Sequence, residues 1–182
     1  MSDLNNKYIQ FLLKPWRWPR YIVWRIARPL PPGLRVINWV VQRILGLNKQ
    51  YPWPVHFTSR VVGNVVIGKD VWISFAASGG CYIQGNNGIE IGDETLFGPG
   101  VKIISADHSL EDIKKWESGP PVKIGKRCWI SANAVILPGV TLGDDVVVGA
   151  GAIVTQSFSN GSVLAGVPAR LIRFRPGFEP DK

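Results

Sequence analysis

The sequence predicts a mainly β fold in which short strands coil into a solenoid behind a helical segment, and three observations predict it. An aliphatic or Phe side chain recurs at every sixth position over much of residues 61–154, and Gly often follows it directly. Pro, Trp and basic residues are concentrated before residue 60, where this period is absent. A period of six fits neither an α-helix nor an alternating strand, whereas three hexads close one coil of a parallel β-helix.

The period of six places one side chain of each hexad inside the coil. The later run of inward positions is uninterrupted and consists of Ile124, Ile130, Ile136, Leu142, Val148 and Val154. The earlier run, continued by sixes, consists of Val61, Ile67, Ile73, Gly79, Gly85, Ile91, Phe97 and Ile103. We therefore expect a single frame over residues 61–104.

Glycines follow many inward positions and are expected to serve the turns of the coil. They are Gly68, Gly92, Gly98, Gly125, Gly143 and Gly149. Because Gly adopts a positive φ without steric cost, we expect that conformation at these positions. Their place on the hexad frame, instead of between a strand and a helix, argues against phosphate-binding loops.

The frame breaks once, because the 21 positions from Ile103 to Ile124 are not a multiple of six. The interruption covers about residues 105–122 and carries a His, four acids, two Lys and a Trp. A solenoid that tolerates an insertion usually uses it on a functional face. We therefore divide the chain into a basic, Trp-rich helical segment (1–55), a solenoid domain (56–175) with this inserted loop, and a tail (176–182).

The positive charge of the chain belongs to its N-terminal third. The protein has 21 Lys and Arg against 13 Asp and Glu, a net charge of +8. Residues 1–60 hold ten of the basic residues and one acid, Asp3, so the remaining 122 residues carry 11 basic and 12 acidic side chains. A near-neutral solenoid argues against nucleic acid as its partner, and no nucleic-acid binding is expected.

Proline restricts the N-terminal segment to short helices. One helix is expected over Tyr21–Arg28 and another over Gly33–Gly46. The apolar side chains that share one face of the second helix are Leu34, Ile37, Val41, Ile44 and Leu45. Basic amphipathic helices bordered by Trp are typical of segments at a membrane surface. They are equally typical of a cap packed on the body with Arg in solvent, so residues 1–50 either contact a membrane or cover the solenoid.

The number of cysteines and the length of the apolar stretches indicate the compartment of the protein and argue against a metal site. Two cysteines, Cys81 and Cys128, are too few for a disulfide framework or a four-thiolate metal site. No stretch reaches the roughly 18 uninterrupted apolar residues of a membrane span. The chain opens without the pattern of a signal peptide. We expect a cytoplasmic protein that requires no metal and is at most peripheral at the inner face of the membrane.

Three segments resemble the hexapeptide-repeat acyltransferases. They are IGDETLFGPGVKIISADHS, PVKIGKRCWISANAVILPGVTLGDDVVVGAGAIVT and AGVPARLI, and the resemblance covers about residues 55–175. Within that family the chain is most similar to the sugar and polysaccharide O-acetyltransferases. The resemblance implies a left-handed parallel β-helix, whose handedness rests on the resemblance alone, because common crossovers are right-handed. It also implies a homotrimer with active sites at subunit interfaces and acetyl-CoA as the acyl donor.

The resemblance assigns the catalytic base to His108. The family's catalytic His lies in the loop after the GPGV hexads, nine residues past the Pro, and His108 follows Pro99 by nine residues. A neutral imidazole can take the proton from an acceptor hydroxyl, which contributes roughly 10²–10⁴ in rate. Without the motif His108 would be interpreted as an exposed loop residue. The second histidine, His56, precedes the first coil and is interpreted as structural.

The inserted loop offers several carboxylates that could orient His108, and the spacing selects none. They are Glu111, Asp112 and Glu117, whereas Asp107 is adjacent but would point elsewhere if the loop is extended. No Ser/His/Asp spacing favours a covalent acyl-enzyme, so direct transfer from acetyl-CoA is expected. Backbone N–H groups of the coil turns or the loop would then stabilise the tetrahedral oxyanion.

The resemblance also implies residues that contact CoA and the acceptor. The positions that match CoA contacts are Trp129, Ala132, Ala150, Thr155, Arg170 and Arg173. Gln156 stands where the family usually has Lys, which removes one expected phosphate contact. The positions that match acceptor contacts are Asn86 and Asn87, although Asn is also favoured in left-handed turns. Trp116 either stacks on a sugar ring or fixes the loop.

Three functions remain in competition. The first is acetyl-CoA-dependent O-acetylation of a sugar in a bacterial surface polysaccharide or its lipid-linked precursor. The second, on the same fold, is N-acetylation of an amino-sugar nucleotide or a small xenobiotic. The third is non-enzymatic: a trimeric scaffold, or a module that binds nucleic acid through residues 1–60. The presence of His108 and of the GVPAR segment favours an enzyme over a scaffold.

Overall fold

The computed structural model describes residues 30–179, so the helix expected over 21–28 and the last residues of the tail lie outside the described part. The helical elements are α1 (Pro32–Trp39), a π-helical turn (Val40–Ile44) and α2 (Trp72–Ala77). The strands are β1 (Arg60–Ile67), β2 (Tyr82–Ile91), β3 (Leu96–Phe97), β4 (Lys102–Ile104), β5 (Val122–Ile124), β6 (Trp129–Ile130), β7 (Val135–Ile136), β8 (Thr141–Leu142), β9 (Val147–Val148), β10 (Ile153–Val154), β11 (Ser162–Ala165) and β12 (Arg170–Phe174).

The strands stack in parallel into three faces, which confirms the mainly β solenoid. The first face joins the N-terminal halves of β1 and β2 to β4, β7 and β10. The second face joins the C-terminal halves of β1 and β2 to β5 and β8. The third face consists of β3, β6, β9 and β11. The chain bends at a corner between one face and the next. Each strand therefore pairs with the strand of the same face in the neighbouring coil.

The core consists of columns of inward side chains, one column for each face. On the first face the column is Val61, Ile83, Ile103, Ile136 and Val154. On the second it is Ile67, Ile91, Ile124, Leu142 and Phe158, and on the third it is Phe97, Ile130, Val148 and Leu164. The six inward positions expected between residues 124 and 154 are all buried, which confirms that part of the frame.

The single frame expected over residues 61–104 is wrong. Val61 pairs with Ile83 and Ile67 pairs with Ile91, so the first coil is longer than three hexads. Helix α2 and an irregularity between Gly63 and Val65 take up the additional residues. Gly79 and Gly85 therefore lie outside the column, and Ile73 belongs to α2. The prediction failed because the sixfold spacing of apolar residues does not show where a helix replaces a strand.

The positive φ expected at the six glycines is also wrong, because it occurs two residues later. The positions that adopt it there are Asp70, Glu94, Gly100, Arg127, Asp145 and Gly151. The six glycines are required by close stacking instead. A Cβ on Gly92 would lie 2.7 Å from the carbonyl carbon of Gly125, and one on Gly125 would lie 2.5 Å from that of Gly143. The stacked coils therefore approach too closely there for any side chain.

The helix expected over Gly33–Gly46 is present, but it is rotated about its axis from the expected orientation. It runs as α1 and then as the π-helical turn to Ile44. Asn38 and Gln42 are its buried residues, whereas Ile44 and Leu45 of the expected inward face are exposed. Hydrogen bonds to the backbone of the first coil decide this orientation. No helix within residues 30–179 has the length and apolar character needed to cross a bilayer.

The two ends of the coil stack are covered differently. At the N-terminal end, rings of Tyr51, Trp53, Phe75 and Phe97 follow one another at centroid distances of 4.9–5.9 Å. At the C-terminal end, β12 returns antiparallel along β11.

Candidate functional site

Three corners connect the faces of each coil, and two of them carry the residues that the sequence singled out. The first corner leads from the first face to the second and comprises residues 84–88, 105–121, 137–140 and 155–157. The third corner leads from the third face back to the first and comprises residues 98–101, 131–134 and 149–152. The second corner, between them, is a stack of charged residues.

The inserted loop leaves the first corner and folds back on itself. Ser109 N donates to Lys115 O (2.9 Å), and Glu117 N donates to Asp107 O (2.8 Å). Together these bonds bring His108 and Trp116 into an antiparallel bridge. The loop therefore has a defined backbone, and its tip projects from the solenoid.

The base of the loop is fixed by polar side chains of the preceding coil. Gln84 Nε2 donates to Ala106 O (3.0 Å), and its Oε1 accepts from the backbone N–H groups of Ser105 (3.2 Å) and Ala106 (3.1 Å). Ser105 Oγ accepts from Asn87 N (2.9 Å). The period of six did not predict these roles for Gln84 and Ser105. A long polar residue directly after an inward Ile, at the corner where the frame breaks, was the available signal.

His108 lies on the loop with its imidazole stacked on the indole of Trp116. The ring centroids are 4.0 Å apart and the planes are inclined by 29°. Both residues are exposed. Stacking occupies a face of the imidazole, so both ring nitrogens remain at its edge, where they can exchange a proton with a bound molecule.

Among the carboxylates of the loop, that of Asp112 is engaged by neighbouring lysines. Asp112 Oδ1 accepts from Lys114 N (3.0 Å), and its carboxylate lies 3.5 Å from Lys115 Nζ. Asp107 and Glu117 pair through their backbones. Within residues 30–179 no carboxylate hydrogen-bonds the imidazole of His108, so the described part of a single chain contains no orienter for it.

The predicted acceptor residues lie on the first corner, beside the loop. Asn86 is exposed. Asn87 Nδ2 donates to Glu117 O (2.9 Å), so its amide holds the far side of the loop on the solenoid. Thr155, predicted as a CoA contact, is exposed on the same corner two coils beyond the inserted loop.

The third corner brings together Ala132 and Ala150, which were predicted to contact CoA. Their coils stack in register, because Gly151 N donates to Ala132 O and Asn133 N donates to Pro99 O, each at 2.9 Å. Trp129 begins β6, on the strand that leads into this corner. Small side chains along the corner leave the backbone accessible to a narrow ligand.

The two predicted arginines lie on β12. Arg170 is exposed at the start of the strand, and its Nη1 donates to Ala169 O (3.0 Å). Arg173 is half-buried and pairs with Val163 across to β11. The segment before them is tied to the solenoid, because Ala169 N donates to Ile153 O (2.7 Å). Both guanidinium groups therefore stand on a fixed strand near the C-terminal end.

The predicted residues therefore fall into two groups on different corners of the solenoid. His108, Trp116, Asn86, Asn87 and Thr155 share the first corner, and the first face separates them from Ala132 and Ala150 on the third. The fold of one chain brings the residues within each group together. It does not bring the two groups to a common point.

His56 and the two cysteines lie among residues that hold the fold together. His56 Nδ1 accepts from Thr58 N (3.2 Å) and its ring stacks on Phe57, while burial lowers its pKa. Cys81 and Cys128 are free and buried, and burial raises the pKa of both thiols. Within residues 30–179 no group of three or more His, Cys, Asp or Glu could hold a metal ion.

Comparison with known proteins identifies the class to which this fold and site belong. Residues 121–156 match the family model described as hexapeptide repeat of succinyl-transferase. Over 134 residues the chain is 35% identical to a galactoside O-acetyltransferase of Escherichia coli K12, covering 71% of this chain and 62% of the relative. Over 111 residues it is 41% identical to nodulation protein L of Rhizobium meliloti, covering 59% and 58%.

A solved structure extends the similarity to the fold. It is a hexapeptide-repeat-containing acetyltransferase of Vibrio cholerae O1 biovar eltor, crystallised with acetyl coenzyme A. The TM-score is 0.58 at 26% identity, covering 84% of this chain and 82% of the other. The chain is therefore similar in sequence and in fold to hexapeptide-repeat acetyltransferases. It spans about three fifths of the length of the two curated relatives it matches.

Proposed function

We propose that this protein is an acetyl-CoA-dependent sugar O-acetyltransferase in which His108 is the general base. The observation that carries the proposal is the exposed imidazole of His108, held against Trp116 on the inserted loop of the solenoid. The galactoside O-acetyltransferase named above acts on a sugar, which supports a sugar acceptor here.

The chemistry follows from a neutral imidazole beside a hydroxyl group. His108 takes the hydroxyl proton as the oxygen forms a bond to the thioester carbonyl carbon of acetyl-CoA. Collapse of the tetrahedral intermediate breaks the carbon–sulfur bond, and the proton passes from His108 to the leaving CoA thiolate. The products are an acetyl ester and free CoA, and no residue of the chain is acylated.

The CoA site that we propose follows the third corner. Ala132 and Ala150 present backbone groups without bulky side chains, which suits the narrow pantetheine arm. Trp129 stands beside this corner, and Thr155 lies nearer the transferred acetyl group on the first corner. Arg170 and Arg173 would bind the phosphates of the nucleotide end, because a guanidinium pairs well with phosphate.

We propose a homotrimer with the active sites between neighbouring subunits. The base lies on the first corner of the solenoid and the CoA residues lie mainly on the third. In the three-fold arrangement that we propose, the first corner of one subunit lies against the third corner of the next. Such an interface would complete the site. It could also bring a hydrogen-bond partner to His108, which has no carboxylate partner within residues 30–179 of one chain.

The acceptor that we propose is a sugar hydroxyl of a bacterial surface polysaccharide or its lipid-linked precursor, bound beside Asn86. Asn87 would act mainly by holding the loop, and Trp116 by holding the imidazole. The protein would then work in the cytoplasm, with residues 1–50 at the inner face of the membrane.

Release of CoA thiol with acetyl-CoA and candidate glycans tests the proposal. His108→Ala should lower kcat by roughly 10²–10⁴, the usual contribution of a general base, with KM for acetyl-CoA unchanged. His56→Gln, the matched control in a structural environment, should retain near wild-type kcat. If His108→Ala keeps the wild-type rate on an acceptor that the wild type acetylates, the assignment of the base is wrong.

A second variant separates the role of Trp116 as a support from a role in binding sugar. Trp116→Ala removes the ring that holds the imidazole and should lower kcat by roughly tenfold or more. Trp116→Phe, which retains a stacking ring, should recover most of that loss. A variant that raised KM for the sugar and left kcat unchanged would assign Trp116 to acceptor binding.

A further inference from the structure

The helix that precedes the solenoid is oriented by buried amides. Asn38 Nδ2 donates to Ala76 O (2.9 Å), and Asn38 Oδ1 accepts from Phe57 N (3.0 Å). Gln42 Nε2 donates to Trp53 O (2.9 Å), and its Oε1 accepts from Val55 N (3.1 Å). Both side chains are almost completely buried. These bonds join the helix to backbone groups of residues 53–76 and fix which side of it faces outward.

Most of the large side chains that this helix exposes are apolar. We define the outer face as Val36, Ile37, Trp39, Ile44 and Leu45. Val36 is 62% exposed, Ile44 64% and Leu45 72%. An amphipathic helix of a soluble domain normally buries this side, and a contiguous exposed apolar patch marks an interaction site. Since Asn38 and Gln42 hold the helix in this orientation, the outer face cannot be buried by turning it.

The charges around the outer face are all positive. Arg35, Arg43 and Lys49 lie beside it, and the chain has no acidic residue between positions 4 and 69. None of the ion pairs within residues 30–179 involves these three side chains. Arg43 nevertheless has a structural task, since it donates to the backbone oxygens of Lys49 (3.2 Å) and Tyr51 (3.4 Å).

A groove of about 390 Å³ runs along the edge of the outer face. Its walls include Trp39, Trp72, Pro52 and Pro54, and Arg35 lies at its rim. Trp side chains favour the boundary between water and hydrocarbon, because the ring is apolar and the indole N–H is polar. The groove and the outer face share Trp39, and we call the two together the docking surface, which combines apolar side chains, two Trp rings and positive charge.

We propose that this surface docks on an anionic phospholipid bilayer. Lipid phosphates complement Arg35 and Lys49, and the outer face enters the boundary between headgroups and acyl chains. Two other occupants fit the charges poorly. Residues 1–29 carry six basic side chains and one acid, and a second copy packed through the same surface would oppose like charges. The proposal adds a binding surface to the protein and stands independently of its catalytic activity.

Flotation of the full-length protein with vesicles tests the proposal. Vesicles of phosphatidylcholine with phosphatidylglycerol should carry the protein, and vesicles of phosphatidylcholine alone should not. Val36→Asp combined with Ile44→Asp should lower the bound fraction by about tenfold, as should Arg35→Glu combined with Lys49→Glu. Leu110→Asp combined with Lys114→Glu, on the exposed inserted loop, is the matched control and should bind as the wild type does.

A fluorescence measurement tests whether another occupant already covers the surface. Leu45→Cys offers one exposed thiol beside two buried ones, so an environment-sensitive dye can be attached there selectively. Its emission should be that of a dye in water without vesicles and should shift to the blue with anionic vesicles. Blue-shifted emission before vesicles are added would overturn the proposal in favour of residues 1–29 or a second copy. Equal flotation of the Val36→Asp, Ile44→Asp variant and the wild type would overturn it as well.

Discussion

The stack of His108 on Trp116 links the proposed base to the folding of its loop. The two rings are 4.0 Å apart, and the loop backbone pairs the residues on either side of them. A base on a loop loses rate when its ring rotates freely, because only some orientations reach the substrate proton. The contact with Trp116 restricts that rotation from one face and leaves the nitrogens open.

At the same scale, the sequence predicts His108 as the base and leaves its partner undecided. The prediction rests on the family motif and on the position of His108, one of two histidines, where the period breaks. The contact between His108 and Trp116 could not be predicted, because a spacing of eight residues does not indicate which side chains of a loop are in contact. Asn87 illustrates the same limit, since its amide bonds to a backbone oxygen 30 residues away.

The buried thiol of Cys128 makes stability depend on pH in the alkaline range. Burial raises its pKa from 9.0 to about 11, so the folded protein keeps the neutral thiol where the unfolded chain ionises it. The stability from this group is complete below pH 9 and is lost as pH rises through 11, by about 1.4 kcal/mol per pH unit between them. Denaturant unfolding of the wild type and of Cys128→Ala measures the difference. Parallel pH profiles for the two proteins would contradict the prediction.

At the scale of elements, glycine determines how closely the coils stack. The structure places backbone of one coil against the Cα of Gly92, Gly125 or Gly143 in the next. The sequence showed where these glycines fall but suggested turn conformation as their purpose. Close approach between coils depends on the three-dimensional stack, which a one-dimensional period does not contain.

A pair of substitutions separates close packing from backbone freedom. Gly92→Ala puts a Cβ 2.7 Å from the backbone of Gly125 and should destabilise the protein by at least about 2 kcal/mol. Gly33→Ala, in α1 with nothing within 4 Å of the added Cβ, should be neutral or stabilise by up to about 1 kcal/mol. Thermal unfolding of both variants is the measurement. A Gly92→Ala protein as stable as Gly33→Ala would show that the coils can separate at little cost.

Helix α1 shows why an apolar period does not fix which side of a helix is buried. Its extent followed from apolar spacing and from the flanking glycines. Its orientation follows from amide bonds to residues far along the chain, such as Asn38 to Ala76. Partners at that separation cannot be identified from a periodic pattern.

At the scale of the whole molecule, mixing two inactive variants tests whether the two groups of site residues come from different subunits. In the trimer that we propose, a site needs an intact first corner from one subunit and an intact third corner from its neighbour. His108→Ala and Ala150→Trp, the latter designed to block the CoA corner, should each be inactive. Unfolded and refolded together in equal amounts, they should recover about a quarter of wild-type activity, because random mixing leaves that fraction of sites intact. No recovery in trimers that contain both variants would place each site within one chain.

The antiparallel pairing of β12 with β11 affects whether copies of this protein can associate end to end. A stack of parallel coils ends in strands whose backbone groups can pair with another chain, and end-to-end growth into fibres is the hazard. Because β12 runs against β11, it occupies the hydrogen-bonding edge of the third face with a strand of opposite direction. A further coil cannot continue the parallel ladder on that face, so β12 removes one of the three edges at which a second copy could extend the stack.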